Sequence, residues 1–235
     1  MINLLFKLPD TIMVAVSGGP DSMAALDFLS RKKKVIAVHF NHETDHACEA
    51  QDLVTSYCNQ KDIQLILGKI QNPKKKGESQ EEYWRNERYS FFNSLGESPI
   101  ITCHHLDDSV EWWLFTSFNG NPKLIPHIRG KYIRPFLLNR KTVFEDWCRR
   151  KNVRYLCDPS NRNSLYSRSR IRRDILPAVL LINPGIHTVL KKKIINSFKK
   201  ANPHHLSPYD TSNTGHVTAV TQQSGVPLLD YRLVG

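Results

Sequence analysis

The chain has 235 residues, 40% hydrophobic and 23% charged, a composition that supports a sizeable core and excludes global disorder. Its formal charge of +11 is unevenly spread: residues 129–200 carry 19 basic against 4 acidic side chains, whereas residues 1–128 carry 13 against 16. The basic block points to a polyanion such as nucleic acid as partner.

No apolar run approaches the roughly 20 residues that span a bilayer. The opening MINLLFKLPD is broken too early by Pro9 and Asp10 for a secretory signal, so a cytoplasmic location away from membranes is expected. Five cysteines, with no C-x-x-C pair, speak against a disulfide framework, a zinc knuckle or an iron–sulfur site.

In chain order, TIMVAVS (11–17) reads as a strand, GGP as a tight turn and DSMAALDFLSR (21–31) as a helix with one apolar face. The unit recurs as strand 35–40 with helix 45–60, strand 63–70 with helix 79–95, and strand 99–103 with helix 107–118. Such alternation predicts an α/β fold, a Rossmann-like parallel sheet with helices on both faces, whose ligands bind at the carboxyl ends of the strands. The loop NPKKKGES (72–79) reads as a solvated turn. Residues 129–200 read as a last short strand (YIRPFLL), a helix near 141–151, a basic loop and helices around Ile171 and Lys191, together a basic helical extension of the catalytic domain (1–200) facing RNA. From residue 201 to 235 the composition shifts to a polar tail.

The glycines of SGGPDS (17–22), between a strand and a helix, let backbone N–H groups close around an anion at the helix N-terminus. The spacing fits neither a Walker A loop nor a G-x-G-x-x-G fingerprint. The segment is similar to the S-G-G-x-D-S loop of the N-type ATP pyrophosphatases, the PP-loop superfamily, with an adenine nucleotide alpha hydrolase-like fold. That resemblance implies that ATP is held by Ser17, Gly18, Gly19, Pro20, Asp21 and Ser22, with Asp21 near a metal-bound triphosphate.

TCHHLDDSVEWW (102–113) sets two histidines at a strand end before three carboxylates at helical spacing. Such a cluster can hold Mg²⁺, orient an amine or act as a base. It resembles the T-A-H-H-x-x-D-x-x-E motif of tRNA(Ile)-lysidine synthetases. Three further segments match that family in chain order: HFNH (39–42), EEYWRNERY (81–89) and DPSNRNSLYSRSRIRRDILP (158–177). Ser169 and Cys103 depart from the family pattern, as does ETDHA after HFNH. Members commonly carry C-terminal domains that help bind tRNA, in contrast to the short stretch 201–235.

The resemblance implies ATP-dependent adenylation of the wobble cytidine in an isoleucine tRNA with a CAU anticodon. Free lysine then displaces AMP to give lysidine. It implies catalytic roles for Asp21, His104, Asp108, Arg85 and Arg172, and Mg²⁺ ligation by Asp21 and Asp108. Substrate contacts are expected from Glu111, which helps receive lysine, and from Arg88, Asp107, His105, Arg168 and Arg170. Arg85, Arg88 and Arg172 hold phosphate or the activated base. The oligomeric state is not legible. Two rival readings stay open: another PP-loop tRNA-modifying enzyme of the thiolation type, which the missing paired cysteines disfavour, and a non-catalytic RNA-binding relic.

Overall fold

The computed structural model describes residues 1–157 and 167–202. Its sheet has the order β3-β2-β1-β4-β6-β5, with β1 Thr11–Ala15, β2 Lys34–Asn41, β3 Gln64–Lys69, β4 Ile100–Ile101, β5 Ile128–Arg129 and β6 Tyr132–Ile133. The first five strands in that order pair in parallel; β5 joins β6 in an antiparallel edge hairpin. The expected α/β sheet is therefore present, with one edge strand that the sequence pattern did not suggest. Two-residue strands leave no alternation to read.

The helices are α1 Pro20–Ser30, α2 Asp45–Lys61, α3 Gln80–Ser94, α4 Leu106–Phe118, α5 Lys141–Lys151, α6 Ser167–Arg170, α7 Leu176–Ile182 and α8 Ile186–Ala201. Their ends follow local chemistry. Thr44 caps α2 by accepting from the Ala47 amide at 3.2 Å, and Ser79 caps α3 by accepting from Glu82 at 3.1 Å. Asp62 and Asn152 close α2 and α5 in the left-handed conformation. Between α6 and α7 lies a π-helical turn, Ile171–Ile175, in which the Leu176 amide reaches back to the Ile171 carbonyl. Pro177 follows; without an N–H it cannot bond the carbonyl four residues before it, so the chain widens there.

Strand alternation separates two apolar layers. Ile12, Val14, Val35, Ala37, Ile101 and Ile133 pack with side chains of α1, α2, α4, α5 and α8. Val38, Phe40, Ile100 and Tyr132 pack with Phe92 of α3, with Met13 and Ala15 against them. The sheet is thus covered on both faces. In α8, Ile186, Leu190, Ile194 and Phe198 recur every fourth residue and are buried, with Phe198 stacked on Phe6 at 5.7 Å. The basic helical extension is consequently part of the main core. The segment 158–166, with Asp158, Ser160, Asn161 and Tyr166, and the tail beyond Asn202 lie outside the described residues. No helix among the described residues is long and apolar enough to cross a membrane.

Beneath α1, Asp27 is 3% exposed and accepts from Arg31 Nε (2.9 Å), Tyr57 Oη (2.7 Å) and Trp147 Nε1 (2.8 Å). This carboxylate joins α1, α2 and α5. Burial alone raises its pKa, but the three donors outweigh burial and hold it below the ordinary aspartate value. Asp27→Ala is expected to lower the unfolding free energy by about 3 kcal/mol at neutral pH, because three donors lose a buried charged acceptor. A depressed carboxyl pKa stabilises above its unfolded value near 4 and loses that contribution as pH falls through the folded value. Urea unfolding of both proteins should therefore show the gap at pH 7 and its decline below about pH 4.

Candidate active site

Strand order reverses between β1 and β4: β2 and β3 lie to one side of β1, and β4 and β6 to the other. The carboxyl ends of β1 and β4 open side by side, the switch point where α/β sheets bind ligands. Both chemistry-bearing loops emerge there.

The first is residues 17–22. Gly18 has φ +85°, and a Cβ at that position would lie 3.0 Å from the Ala50 Cβ, so a side chain there would be both strained and crowded. Its carbonyl accepts from the Leu156 amide at 2.9 Å. Ser22 Oγ accepts from the Ser17 amide (3.0 Å), donates to the Gly19 carbonyl (3.1 Å) and lies 3.1 Å from Ser17 Oγ, which holds the turn shut. α1 begins at Pro20, capped by Gly19 with no side-chain acceptor. The first-turn amides of α1 are thus presented to a ligand, and the helix dipole favours an anion there.

The second is residues 102–111. His105 caps α4 reciprocally: the Asp108 amide donates to His105 Nδ1 at 3.3 Å, and the His105 amide donates to Asp108 Oδ2 at 3.0 Å. Its Nε2 lies 3.6 Å from Asp21 Oδ1, so this buried ring bridges the two loops. Burial opposes its protonation, but Asp21, Asp108 and Asp107 together raise its pKa above the ordinary histidine value. Protonation at Nδ1 would forfeit the cap, so the neutral ring carries its proton on Nε2, toward Asp21. His104 behaves oppositely. Burial, reinforced by Arg134, Arg168 and His105 and opposed by Asp108, pushes it down to about 4, and its Nδ1 sits 3.1 Å from Thr102 Oγ1.

The three α4 carboxylates are held differently. Asp107 accepts from Arg140 Nε (3.0 Å) and the Lys141 amide (2.7 Å) and sits 3.0 Å from His187 Nε2, bracing α4 to α5 and α8. Asp108, its pKa raised by burial but lowered more by His105, His104 and the His105 amide, stays ionised and lies 4.0 Å from Arg172. Glu111, 2% exposed, accepts from Arg172 at 2.7 and 3.0 Å and pairs with Arg168 Nε at 2.5 Å. Arg168 and Arg172 are four apart across the π-helical turn, which presents both to one carboxylate. Arg170 is exposed.

On the other face of the sheet, Arg85 and Arg88 lie over the Tyr89 ring at 4.9 and 5.9 Å. Sequence reading passed over Arg134, 5% exposed behind Tyr89, although a lone arginine inside the apolar run YIRPFLL was a usable signal. It also missed His187, Arg140 and Thr102. His39 of HFNH is 2% exposed, with Nδ1 2.8 Å from the Val16 carbonyl; burial keeps it neutral. The Cys103 thiol donates to the Ala15 carbonyl at 3.8 Å, and burial pushes its pKa far up, so it is no nucleophile. Lys74, Lys75 and Lys76 are exposed, as the solvated-turn reading expects.

For a divalent cation, no group of three or more His, Cys, Asp or Glu side chains among the described residues forms a cage. Asp21 Oδ1 is nonetheless buried beside the anion loop with no partner within hydrogen-bond distance, the His105 ring lying 3.6 Å away. That fits Mg²⁺, which keeps waters and binds through one or two carboxylates plus substrate phosphates.

Residues 3–179 match the PP-loop domain family. Curated relatives include tRNA(Ile)-lysidine synthases from Thermotoga maritima (30% identical, 78% of this chain and 48% of that one), Enterococcus faecalis (33%, 74% and 41%) and Bacillus subtilis (31%, 77% and 43%). The chain spans less than half the length of each.

The opposite histidine shifts give a direct check. In an NMR titration from pH 5 to 8, His104 is expected to remain neutral throughout, while His105 protonates above the ordinary histidine midpoint near 6.5. Asp21→Asn should move the His105 midpoint downward, since it removes one of three favouring carboxylates.

Proposed function

We propose that this chain, which belongs to the PP-loop domain family, joins lysine to C2 of the wobble cytidine in an isoleucine tRNA with a CAU anticodon, consuming ATP. One observation carries the reading: an anion-binding loop abuts the Asp21–His105–Asp108 bridge at the β1/β4 switch point. The names of the relatives support it. A triphosphate and a cationic amine need sites of opposite sign close together, which the glycine loop and the α4 carboxylates would supply.

In the first step the cytidine C2 carbonyl oxygen attacks the α-phosphorus and pyrophosphate leaves. In the second the ε-amine of lysine, having shed a proton, attacks C2, and AMP leaves. The α1 amides and Ser17 would hold phosphate, while Gly18, Gly19, Pro20 and Ser22 shape the loop. Asp21 and Asp108 would hold Mg²⁺, which would supply charge neutralisation at the phosphates. Asp21 also orients His105.

Ionised Asp108 would draw the ammonium in; once its proton has left to solvent, His104, kept neutral by burial, can accept a hydrogen bond from the amine and so aim it. Glu111 is already shared by two guanidinium groups, so its role is to aim Arg168 and Arg172 at phosphate or the activated base. Asp107 braces α4. Exposed Arg170 suits an RNA phosphate.

The decisive assay combines the protein with ATP, Mg²⁺, labelled lysine and a CAU-anticodon isoleucine tRNA transcript, with a methionine tRNA as control. Lysine should enter the isoleucine tRNA alone. Asp21→Ala and Asp108→Ala should each lower incorporation by about 100-fold or more while tRNA affinity changes less than about twofold, because neither carboxylate contributes to the cationic surface. Incorporation that survives both substitutions would exclude this centre.

Affinity for the same transcript should fall linearly on a log–log plot against salt, reflecting phosphate contacts by the basic block. A flat plot would remove that block from RNA binding.

A further inference from the structure

Among the described residues, Arg134 is a buried cation with no ion-pair partner. It follows β6 directly and is 5% exposed; one terminal nitrogen donates to the Pro126 carbonyl at 2.8 Å, and its Nε has no hydrogen-bond partner. Burial lowers its pKa, Arg129 and Arg85 act in the same direction, and the Tyr89 hydroxyl opposes them. None of the ion pairs among the described residues involves Arg85, Arg88, Arg129 or Arg134. Guanidinium groups gathered around Tyr89 thus repel one another; Glu81 acts on Arg88 from beyond ion-pair distance, and buried Arg134 has no ion-pair partner among the described residues. A buried charge left in that state is costly, and an incoming oxyanion relieves it.

Three features select the anion. The glycine loop follows β1, two strands away from Arg134, or about 10 Å at ordinary strand spacing, so triphosphate held there leaves this cluster free. At 5% exposure Arg134 offers an unpartnered nitrogen and no open surface, which suits a single small carboxylate better than a polyribonucleotide backbone. The third is length. His104 and Asp108 follow β4, the immediate neighbour of β6, and Arg134 acts electrostatically on His104. An extended lysine spans about 7 Å from ε-nitrogen to carboxylate carbon, six bonds of about 1.5 Å in a staggered zigzag. β4 and β6 lie one strand spacing apart, about 5 Å, so an extended lysine is long enough to cover that spacing together with some displacement along the strands.

We propose that Arg134, with Arg85 and Arg88, binds the α-carboxylate of the amino-acid substrate, so that the far end of the molecule extends to His104 and Asp108. The proposal rests on the reading of lysine as substrate. Planar guanidinium forks suit a carboxylate, and Arg134 supplies the buried, desolvated contact. The enzyme is thereby selective for an amine that carries a carboxylate at the correct distance.

Cadaverine, which is lysine without its carboxylate, provides the test. With ATP and the CAU-anticodon transcript, kcat/KM is measured for lysine and for cadaverine, and transcript affinity is measured separately. The unsubstituted protein should prefer lysine. Arg134→Gln should reduce kcat/KM for lysine by roughly tenfold to a hundredfold, the range for losing a hydrogen bond to a charged group, through KM, while cadaverine loses far less. Arg134→Lys, which keeps the charge, should fall between the two and decides the matter if the glutamine variant does not fold. Exposed Arg85→Ala should reduce the preference in the same direction.

An unchanged lysine-to-cadaverine ratio overturns the proposal. If transcript affinity falls in its place, the cluster serves an RNA phosphate, and if the KM for ATP rises in its place, it serves the nucleotide. An unsubstituted protein that uses neither amine refutes the lysine reading itself, an outcome distinct from an active protein whose variants keep its preference.

Discussion

The first two turns of α4 carry three carboxylates, and the site depends on each having its own partner. Asp107 is taken by Arg140, the Lys141 amide and His187, Asp108 by the cap on His105, and Glu111 by Arg168 and Arg172. Three like charges within five residues of one helix would repel if left bare. Arg140, Arg168 and Arg172 from later segments, with His105 at the cap, ease the repulsion, and the contacts of Arg140, His187, Arg168 and Arg172 pin those later segments to α4. The basic extension is thereby a structural complement of α4 as well as a surface for polyanions.

The same arrangement explains why the two adjacent histidines differ. His105 reaches between the loops toward three carboxylates that outweigh its burial, whereas burial dominates at His104, where Asp108 alone favours the charge and Arg134 and Arg168 add to the opposition. Neighbouring imidazoles with opposite shifts supply one group prone to hold a proton and one kept bare, a division useful for a reaction that moves protons. Sheet topology sets it up: β4 lies between β1, which delivers the glycine loop, and β6, which delivers Arg134.

Much of this was legible in the sequence where the signal is local. Periodicity marked α1 to α4 and their strands, and the left-handed Gly18 inside SGGPDS reflects a turn that only glycine permits. Pairings across long separations were not legible. Glu111 and Arg172 are 61 positions apart, and Asp107 and His187 are 80 apart. A carboxylate at the right helical spacing reads as available for substrate until its partners are known. Glu111 and Asp107 were expected to meet substrate, yet the fold surrounds both with its own cations. Arg134 failed in the opposite sense: embedded in an apolar run, it read as part of a strand, and only the absence of nearby acid sets it apart.

That contrast separates two kinds of buried charge. The Glu111 cluster closes on itself: one carboxylate between two guanidinium groups already has the Coulomb attraction and hydrogen bonds that offset its desolvation. The cluster around Tyr89 does not close, since its inner member has only a neutral carbonyl, a phenol and other arginines as company. Chain-internal pairs stabilise the apoprotein and leave little to gain from a ligand. An unbalanced cluster destabilises the apoprotein, and its relief is available only on binding, so the missing free energy becomes affinity for an anion. Of the two arginine groups, the unbalanced one is therefore the better reporter of substrate.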